Sequence, residues 1–412
     1  MHGLYISIPF CRSKCSYCNF ASGVFGQERL DRYVERLIEE IHSVRARASG
    51  VSALSPEHID TIYFGGGTPS LLRPEQLRRI FQALRAEFLL SADAEITLEC
   101  APGQLSDDLL DALPQLGINR VSFGVQSFVD AEARAVGRLH TCAQALADIA
   151  RLRGVGIVNI NVDLLAGLPQ QTEASWQLSL DVALASGVPH VSVYMLEVDE
   201  DSRLGRELLA SGSRYHAEAV PEDAHIAAMY LAACARLNAA GIAQYEISNF
   251  ARVGFASQHN EKYWLRQPYL GLGLDAHSML RGADGRARRL AVADDLALYL
   301  EQGAQWDCTE VDAQAALEEA WFLGLRRNAG VHLSALEREF GAEACAGYPP
   351  VLAGCEQEGL LEVDGDLVRL TAQGRLFSNE VFERLLAPEP LSIHTPVTED
   401  LHSVCDPFFS VR

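Results

Sequence analysis

Three cysteines stand close together near the start of the chain, in the stretch LYISIPFCRSKCSYCNF. Their spacing, C-x3-C-x2-C, places the thiols of Cys11, Cys15 and Cys18 in one short loop. Thiolates bind zinc and iron–sulfur clusters, but zinc usually takes four Cys or His ligands in two separated pairs. A [4Fe-4S] cluster accepts three thiolates and leaves its fourth iron open to a small chelating molecule. The spacing therefore predicts a [4Fe-4S] cluster rather than zinc.

The alternative interpretation is that three buried cysteines share one turn by coincidence. It fits poorly, because the other side chains of the loop are polar: Arg12, Ser13, Lys14 and Ser16. A disulfide framework is not expected either, since a chain of 412 residues can bury a large core without covalent staples. The remaining cysteines are scattered singly and are expected as small core residues: Cys100, Cys142, Cys234, Cys308, Cys345, Cys355 and Cys405.

The segments around this loop alternate between strand and helix patterns. The run LYISIPF predicts a strand, and residues 27–50 repeat apolar side chains at helical spacing. Five further strands are predicted: HIDTIYF, AEITLE, RVSFGV, IVNINVDLLAG and HVSVYML. Helices separate them, and Pro74 and Ser106 are typical of helix starts. This alternation predicts an α/β fold with a parallel sheet, either doubly wound or curled into a partial (β/α)6 barrel similar to a TIM barrel.

A second candidate motif, FGGGTPS at residues 64–70, follows the second predicted strand. Alone, a glycine triplet can be no more than a tight turn. Loops after the carboxyl ends of parallel strands are where such folds gather their chemistry, and the cysteine loop follows the first strand in the same way. The two motifs are therefore expected at one end of the sheet.

The alternation fades after residue 200, and four regions are expected. Residues 1–200 form the barrel core, and residues 201–300 form an irregular, aromatic region that caps it. Residues 301–386 form a small C-terminal helical domain, similar to a winged helix, with a hairpin turn at Asp364 and Gly365. Residues 387–412 are Pro-spotted and aperiodic and are expected to be a flexible tail.

Composition excludes several classes of partner. The formal net charge is −21 and the pI is near 5.0, which opposes attraction to the phosphates of nucleic acid. No segment has the run of about eighteen apolar residues that a transmembrane helix needs. The N-terminus also lacks a cationic leader followed by an apolar region. A soluble, cytoplasmic protein is therefore expected.

The cysteine motif, with Tyr17 between its last two cysteines, resembles that of the radical S-adenosylmethionine superfamily. FGGGTPS resembles the glycine-rich motif by which this superfamily meets the methionine amino group. The segments LYISIPFC, TLECAPG, VSFGVQSF, GRLH, NVDLLAGLP and YEISNFA resemble, in order, the branch that holds the oxygen-independent coproporphyrinogen III oxidases and the HemW-type haem chaperones. The resemblance implies Tyr17 in the cofactor site and these S-adenosylmethionine contacts: Tyr5, Gly66, Gly67, Thr68, Glu99, Gln126, Arg138 and Asp163.

These residue types suit the cofactor. Carboxylates and amides such as those of Glu99 and Gln126 can accept hydrogen bonds from ammonium or ribose hydroxyl groups. Arg138 can bind a carboxylate with two hydrogen bonds. Each of them could instead be only a partner in a local ion pair.

Two sequence features distinguish the porphyrinogen-oxidising members of this branch from the haem chaperones. The porphyrinogen-oxidising members resemble C-x3-C-x2-C-x-C, whereas Phe20 stands at the position of the extra cysteine here. Those members also have an extension ahead of the motif, and only ten residues precede Cys11. Both features resemble the haem chaperones.

The segment HNEKYW matches the H-N-x-x-Y-W pattern associated with those chaperones, and it comprises His259, Asn260, Tyr263 and Trp264 among its residues. His259 has the chemistry of an axial haem ligand, and the two aromatic rings could form flat walls beside a porphyrin. The alternative is a hydrogen-bonded structural histidine. His140 and His277 are further candidate ligands.

Together these features predict a haem chaperone with a [4Fe-4S] cluster, S-adenosylmethionine and haem as cofactors. Its expected partners are haem-receiving respiratory proteins, some of them membrane-bound. A second copy of the chain, in a homodimer, is a further candidate partner. One rival is an oxygen-independent coproporphyrinogen III dehydrogenase or another radical enzyme acting on a tetrapyrrole. A second rival is an iron–sulfur scaffold whose winged-helix-like C-terminal domain binds a regulator or nucleic acid, although the acidity of the chain disfavours nucleic acid.

Overall fold

A computed structural model describes residues 1–386 of the chain. The tail expected at residues 387–412, with Cys405, lies outside the described residues. The chain divides into two compact units. The first comprises Met1–Lys262 and Gln267–Glu310, and the second comprises Tyr263–Arg266 and, of the described chain, residues 311–386.

The first unit is built on a parallel sheet. Its first six strands are β1 His2–Ile8, β2 His58–Gly66, β3 Leu89–Cys100, β4 Arg120–Gln126, β5 Asn159–Ala166 and β6 His190–Met195. They pair in sequence order, and every neighbouring pair is parallel. The predicted α/β fold with a partial TIM-like barrel is thereby confirmed.

Six shorter strands extend this sheet at both edges: β7 Ala243–Gln244, β8 Asn249–Ala251, β9 Tyr269–Leu272, β10 His277–Arg281, β11 Ala287–Val292 and β12 Trp306–Glu310. The strand order is β12-β11-β10-β9-β1-β2-β3-β4-β5-β6-β8-β7. β9 lies parallel to β1, and β8 lies antiparallel to β6. The segments that looked irregular therefore continue the sheet. They are two to six residues long, and β9 contains Gly271, so they carry little strand periodicity.

Helices connect the strands: α1 Gln27–Gly50, α2 Pro74–Glu87, α3 Asp107–Leu116, α4 Asp130–Ala135, α5 Cys142–Gly154, α6 Glu173–Ser186, α7 Arg203–Leu209, α8 Asp223–Ala239, α9 Gln258–Trp264 and α10 Leu296–Gln302. Short 3-10 helices cover Pro69–Leu71 and Arg214–Ala219. Ser106 caps α3 as predicted, since its hydroxyl accepts a hydrogen bond from the backbone N–H of Leu109. None of the helices within residues 1–386 combines the length and apolar character needed to cross a bilayer.

The second unit is mostly helical and carries a three-stranded sheet of order β13-β15-β14. Its elements are α11 Ala313–Arg326, β13 Val331–His332, α12 Leu333–Phe340, α13 Ala342–Cys345, α14 Tyr348–Gln357, β14 Leu361–Asp364, β15 Leu367–Leu370, α15 Ala372–Leu376 and α16 Ser378–Leu385. Trp321 is fully buried and packs against Tyr348. The hairpin turn lies at Gly365, with φ +60, and Asp366, one residue later than the predicted pair Asp364 and Gly365.

Candidate functional site

The cysteine loop begins where β1 ends, at the carboxyl edge of the parallel sheet. Cys15 is buried, and Cys11 and Cys18 are half-buried. The backbone holds the loop in place, since the N–H of Cys11 donates to the carbonyl of Gly23 at 2.9 Å. The N–H of Cys18 donates to the carbonyl of Cys15 at 3.3 Å and forms a tight turn between the last two thiols. All three predicted ligands thus share one surface loop at this end of the sheet.

Arg138 and Thr68 place hydrogen-bond donors against two of the three sulfurs. Arg138 donates to the sulfur of Cys15 at 3.5 Å, and the hydroxyl of Thr68 donates to the sulfur of Cys11 at 3.7 Å. Burial raises the pKa of Cys11, so a metal ion would have to displace its proton. Burial alone would lower the pKa of Arg138, but nearby Cys15 and Tyr17 raise it overall. This donor set, three soft sulfurs beside a fixed cation, fits an anionic iron–sulfur cluster.

Within residues 1–386, no group of three or more His, Cys, Asp or Glu side chains is arranged to hold a metal ion.

The glycine motif packs directly on the cysteine loop. The N–H groups of Gly67 and Thr68 donate to the carbonyls of Ile8 and Phe10 at 2.9 and 2.8 Å. A Cβ atom on Gly67 would lie 2.7 Å from the carbonyl oxygen of Phe10, so only glycine fits there. Gly66 has φ +100, a conformation that also favours glycine. The motif therefore does more than turn the chain, since it lets two loops approach closely.

Polar side chains from four strands line the same end of the sheet. The rings of Tyr5 and Tyr63 stack with centroids 6.2 Å apart, and the hydroxyl of Tyr63 donates to Glu99 at 2.9 Å. Asp163 accepts a hydrogen bond from Asn161 at 2.8 Å. The structure thus brings the predicted residues Tyr5, Glu99 and Asp163 to one polar region.

Gln126 lies in this region with an unusual backbone. It has φ +69 and is 3% exposed, and its side-chain oxygen is buried without a hydrogen-bond partner. A buried polar atom without a partner costs free energy unless water or a ligand satisfies it. Arg138 lies close by and donates to the carbonyl of Gly124. Gln126 and Arg138 therefore fit a polar ligand with hydrogen-bond donors and a negatively charged group.

Tyr17 connects the cysteine loop to an apolar cluster. It packs with other half-buried side chains against the buried cluster Val136, Leu165, Leu168, Leu196, Leu204 and Ala217. The N–H of Ser16 donates to Val136, and the N–H of Leu204 donates to Ser16. The loop is therefore held between α7 and the loop that follows α4. At its far end, Lys14 donates to the carbonyl of Phe20 at 3.0 Å.

The HNEKYW motif forms most of α9, and His259 lies at the other end of the parallel strands. His259 is 1% exposed, its Nδ1 lies 2.8 Å from the hydroxyl of Thr61, and its ring stacks on Tyr63. Burial lowers its pKa to about 3, so the imidazole is neutral. A neutral imidazole is the form that binds iron, but this ring is enclosed by protein. A porphyrin could reach it only after α9 had moved.

Several contacts hold α9 in this place. Glu95 accepts the N–H groups of Gln258 and His259, and Lys262 forms an ion pair with Asp60 at 2.8 Å. A Cβ atom on Gly3 would lie within about 3.2 Å of both His259 and Lys262.

The last two motif positions belong to the second unit. Tyr263 and Trp264 are buried, and the guanidinium of Arg326 lies 4.4 Å from the centre of the Trp264 ring. Asn260 is half-buried, and its side-chain oxygen has no hydrogen-bond partner. His259, Tyr263 and Trp264 are thus buried, and Asn260 is half-buried.

The other two candidate histidines lie elsewhere. His140 is buried, and burial together with Arg138 lowers its pKa to about 4. His277 begins β10 and is half-exposed, 4.0 Å from Asp275. Because β10 runs antiparallel to β9, His277 lies at the same end of the sheet as the cysteine loop. It is the most accessible of the three candidates.

A polar network on the inner face of the sheet is not among the predicted features. Asn161 donates to Ser122 at 2.8 Å and to Ser192 at 3.0 Å, across three neighbouring strands. The ring of His190 joins the same network. The signal was present in the sequence, since polar residues recur at every second position in NINVD and HVSVY.

The matching family models and the most similar relatives indicate the same protein family. Residues 5–183 match the radical SAM superfamily, and residues 311–377 match the HemN C-terminal domain. The chain is 36% identical to "Heme chaperone HemW" of Bacillus subtilis, over 94% of this chain and 99% of the relative. It is 32% identical to "Heme chaperone HemW" of Escherichia coli, over 93% and 98%.

A solved structure resembles the fold. Coproporphyrinogen III oxidase (HemN) from Escherichia coli, described as a radical SAM enzyme, matches with a TM-score of 0.78 and 24% identity. The match covers 93% of this chain and 90% of that one. At this identity the similarity establishes the fold alone.

Proposed function

Because the chain belongs to the HemW-type haem chaperones of the radical SAM superfamily, we propose that it binds haem and delivers it to respiratory haem proteins. One observation carries the proposal: relatives named as haem chaperones match almost the whole chain, including both units. We also propose that some of the recipient proteins are bound to a membrane. This chain itself is proposed to act in the cytoplasm and to form a homodimer.

The proposed [4Fe-4S] cluster would be held by Cys11, Cys15 and Cys18. Arg138, which contacts the sulfur of Cys15, would offset part of the negative charge of the thiolates. Thr68 would donate to the thiolate of Cys11, as it does to the thiol. Cys11 and Cys18 are half-buried, which keeps two of the three thiols near the surface, where a cluster can be loaded.

The proposed S-adenosylmethionine site is the polar region beside this loop. Glu99 and Asp163 provide carboxylates for ammonium or ribose hydroxyl groups, and Gln126 provides an unpartnered oxygen. Gly66, Gly67 and Thr68 would present backbone groups to the methionine end, with Tyr5 beside them. When bound, the cluster and S-adenosylmethionine supply one-electron chemistry that the side chains themselves cannot perform.

The haem site is proposed at His259 with Asn260, Tyr263 and Trp264, and binding there requires α9 to leave its place against Tyr63. His277 is the alternative ligand, since it is half-exposed at the end of the sheet where the cysteine loop lies. The two sites lie at opposite ends of the strands. They therefore make different predictions for single substitutions.

An anaerobic haem titration of the cluster-reconstituted full chain tests the proposal. The Soret band would report saturable binding of one haem per chain in the wild type. His259→Ala and His277→Ala would be titrated in parallel, with circular dichroism to check that each variant is folded. Loss of saturable binding in one folded variant would locate the ligand.

Non-saturating absorbance in the wild type would contradict the chaperone function. Product formation from coproporphyrinogen III under reducing, anaerobic conditions would then support the rival enzyme. Transfer itself would be tested by mixing haem-loaded protein with a respiratory apoprotein and following the appearance of the spectrum of the recipient.

A further inference from the structure

A line of hydrogen bonds crosses the inside of the sheet from Asp163 to Ser257. Asn161 lies 2.8 Å from Asp163, and its side-chain oxygen lies 2.6 Å from Nδ1 of His190. Nε2 of His190 lies 2.9 Å from the hydroxyl of Tyr245, which accepts the backbone N–H of Ser257 at 3.2 Å. Every link lies within hydrogen-bond distance, and all five residues belong to the first unit.

The chemistry of the groups gives this line one direction. The carboxylate of Asp163 can only accept, so Asn161 presents its NH₂ group to it and its oxygen to His190. Nδ1 of His190 must then carry the proton, and Nε2 must accept from the hydroxyl of Tyr245. The hydroxyl oxygen in turn accepts from Ser257. Each donor therefore points toward the negative charge on Asp163, and such aligned bonds strengthen one another.

The middle of the line, at Asn161 and His190, is closed to solvent, and Tyr245 is half-buried. Asn161 is 3% exposed, and His190 and Ser257 are fully buried. Burial lowers the pKa of His190 well below its ordinary value, which keeps the ring neutral with one donor and one acceptor. Water cannot easily replace a hydrogen bond that is lost here. When one residue of the line changes, its neighbours must therefore adjust their positions.

The two ends of the line lie in different parts of the first unit. Asp163 is in the polar region beside the cysteine loop. Ser257 directly precedes α9, and its hydroxyl accepts the N–H of Asn260 at 3.3 Å. Ser257 thus caps the helix that carries His259, and Tyr245 fixes the position of Ser257.

We propose that His190 is a positioning residue that couples the charge on Asp163 to the position of α9. Through Asn161 and Tyr245 it holds the capping serine in place while Asp163 is available to accept. A ligand that binds Asp163 changes the hydrogen bond between Asp163 and Asn161. Because the donors of the line are fixed, the change is passed along the hydrogen bonds to Ser257. The functional meaning of this coupling rests on the proposed function, in which S-adenosylmethionine lies at one end and the haem motif at the other.

Hydrogen–deuterium exchange of the peptide spanning residues 257–264 tests the coupling. It would be measured on the cluster-reconstituted full chain, without haem, for the wild type, Asp163→Asn and Tyr245→Phe. The matched control is Tyr230→Phe, which removes another buried tyrosine hydroxyl, hydrogen-bonded to Ile247 at 2.6 Å, outside the line. Both line variants should exchange about three- to tenfold faster in α9, and the control should not.

Wild-type exchange in α9 of either line variant would overturn the proposal. Equal acceleration in Tyr230→Phe would overturn it as well, because the effect would then be a general loosening. A structural role alone would not predict that Asp163→Asn, at the far end of the line, loosens α9.

The tautomer of His190 provides a second, spectroscopic test. Long-range ¹H–¹⁵N spectra of the wild type should show His190 protonated at Nδ1, with the signal assigned by its absence in His190→Gln. Protonation at Nε2 would reverse the direction of the line and overturn the proposal.

These measurements are independent of the proposed function. Equilibrium dialysis with S-adenosylmethionine and the haem titration test whether the two ligands bind. If neither ligand bound, the proposed function would fail while the exchange and tautomer results would still decide the coupling. If both bound, S-adenosylmethionine should slow exchange of α9 in the wild type and should do so less in Tyr245→Phe.

Discussion

The hydroxyl of Thr61 and Nδ1 of His259 lie 2.8 Å apart inside the amino-terminal end of the parallel strands. This contact joins β2 to a helix almost two hundred residues later in the chain. It places the histidine of the HNEKYW motif in the protein interior, where its ring stacks on Tyr63. The histidine therefore contributes to stability as well as to any ligand it binds.

The substitution His259→Ala should destabilise the protein by roughly 2–4 kcal/mol. It removes a buried ring and leaves a cavity beside Tyr63, and it leaves the hydroxyl of Thr61 without its partner. Urea unfolding followed by circular dichroism would measure the change. Thr61→Val, which removes the hydrogen bond but keeps the ring, should cost about 1–3 kcal/mol. An unfolding free energy equal to that of the wild type in His259→Ala would show that the ring is not packed as described.

The contribution of His259 to stability should also depend on pH. Its pKa is lowered by burial from 6.5 to about 3 in the folded protein, so the unfolded chain takes up the proton first as the pH falls. Stability is therefore complete above pH 6.5 and is lost progressively toward pH 3. The loss due to this group should reach about 2 kcal/mol at pH 5.

The measurement is the difference in unfolding free energy between the wild type and His259→Gln, since other groups titrate in both. Glutamine has no proton to gain in this range. The advantage of the wild type should shrink as the pH falls from 7.5 to 5. A difference that stayed constant with pH would contradict the neutral, buried state of the ring.

How much of this could be predicted from the sequence differs between the parts of the fold. The first six parallel strands and their helices carry clear periodicity, and Ser106 and Pro74 mark helix starts. The edge strands β7 to β12 are not predicted, because they are only two to six residues long and β9, which contains Gly271, has no alternating pattern. Gly271 is there for close packing, since a Cβ atom would lie 2.1 Å from the carbonyl oxygen of His277.

The candidate site, too, could be predicted from the sequence only in part. The spacing of the cysteines predicts their common loop, because all three residues are local in the chain. The burial of His259 could not be predicted from HNEKYW, since the residues that enclose it are Gly3, Thr61 and Tyr63 on distant strands. Long-range packing of this kind leaves no signal within the motif itself.

The substitution Cys15→Ala should abolish the broad absorbance near 400 nm of the reconstituted protein, because the proposed cluster would lose one of three ligands. The matched control is Cys100→Ala, which removes a buried cysteine at the end of β3, outside the loop. Iron content and absorbance would be measured for both variants after anaerobic reconstitution. The control should retain the absorbance of the wild type. Full absorbance and iron content in Cys15→Ala would contradict the cluster site.

The substitution Gly67→Ala should weaken cluster loading although it touches no thiol. Its Cβ atom would lie 2.7–2.8 Å from the carbonyl oxygens of Phe10 and Ile8, so the glycine motif must move away from the cysteine loop. We expect a loss of roughly 1–3 kcal/mol in unfolding free energy and lower iron content after reconstitution. Gly26→Ala is the matched control, since nothing lies within 4 Å of its Cβ position. Normal stability and iron content in Gly67→Ala would mean that the two loops are not in the close contact described, and equal losses in Gly26→Ala would mean that the effect is not specific to that contact.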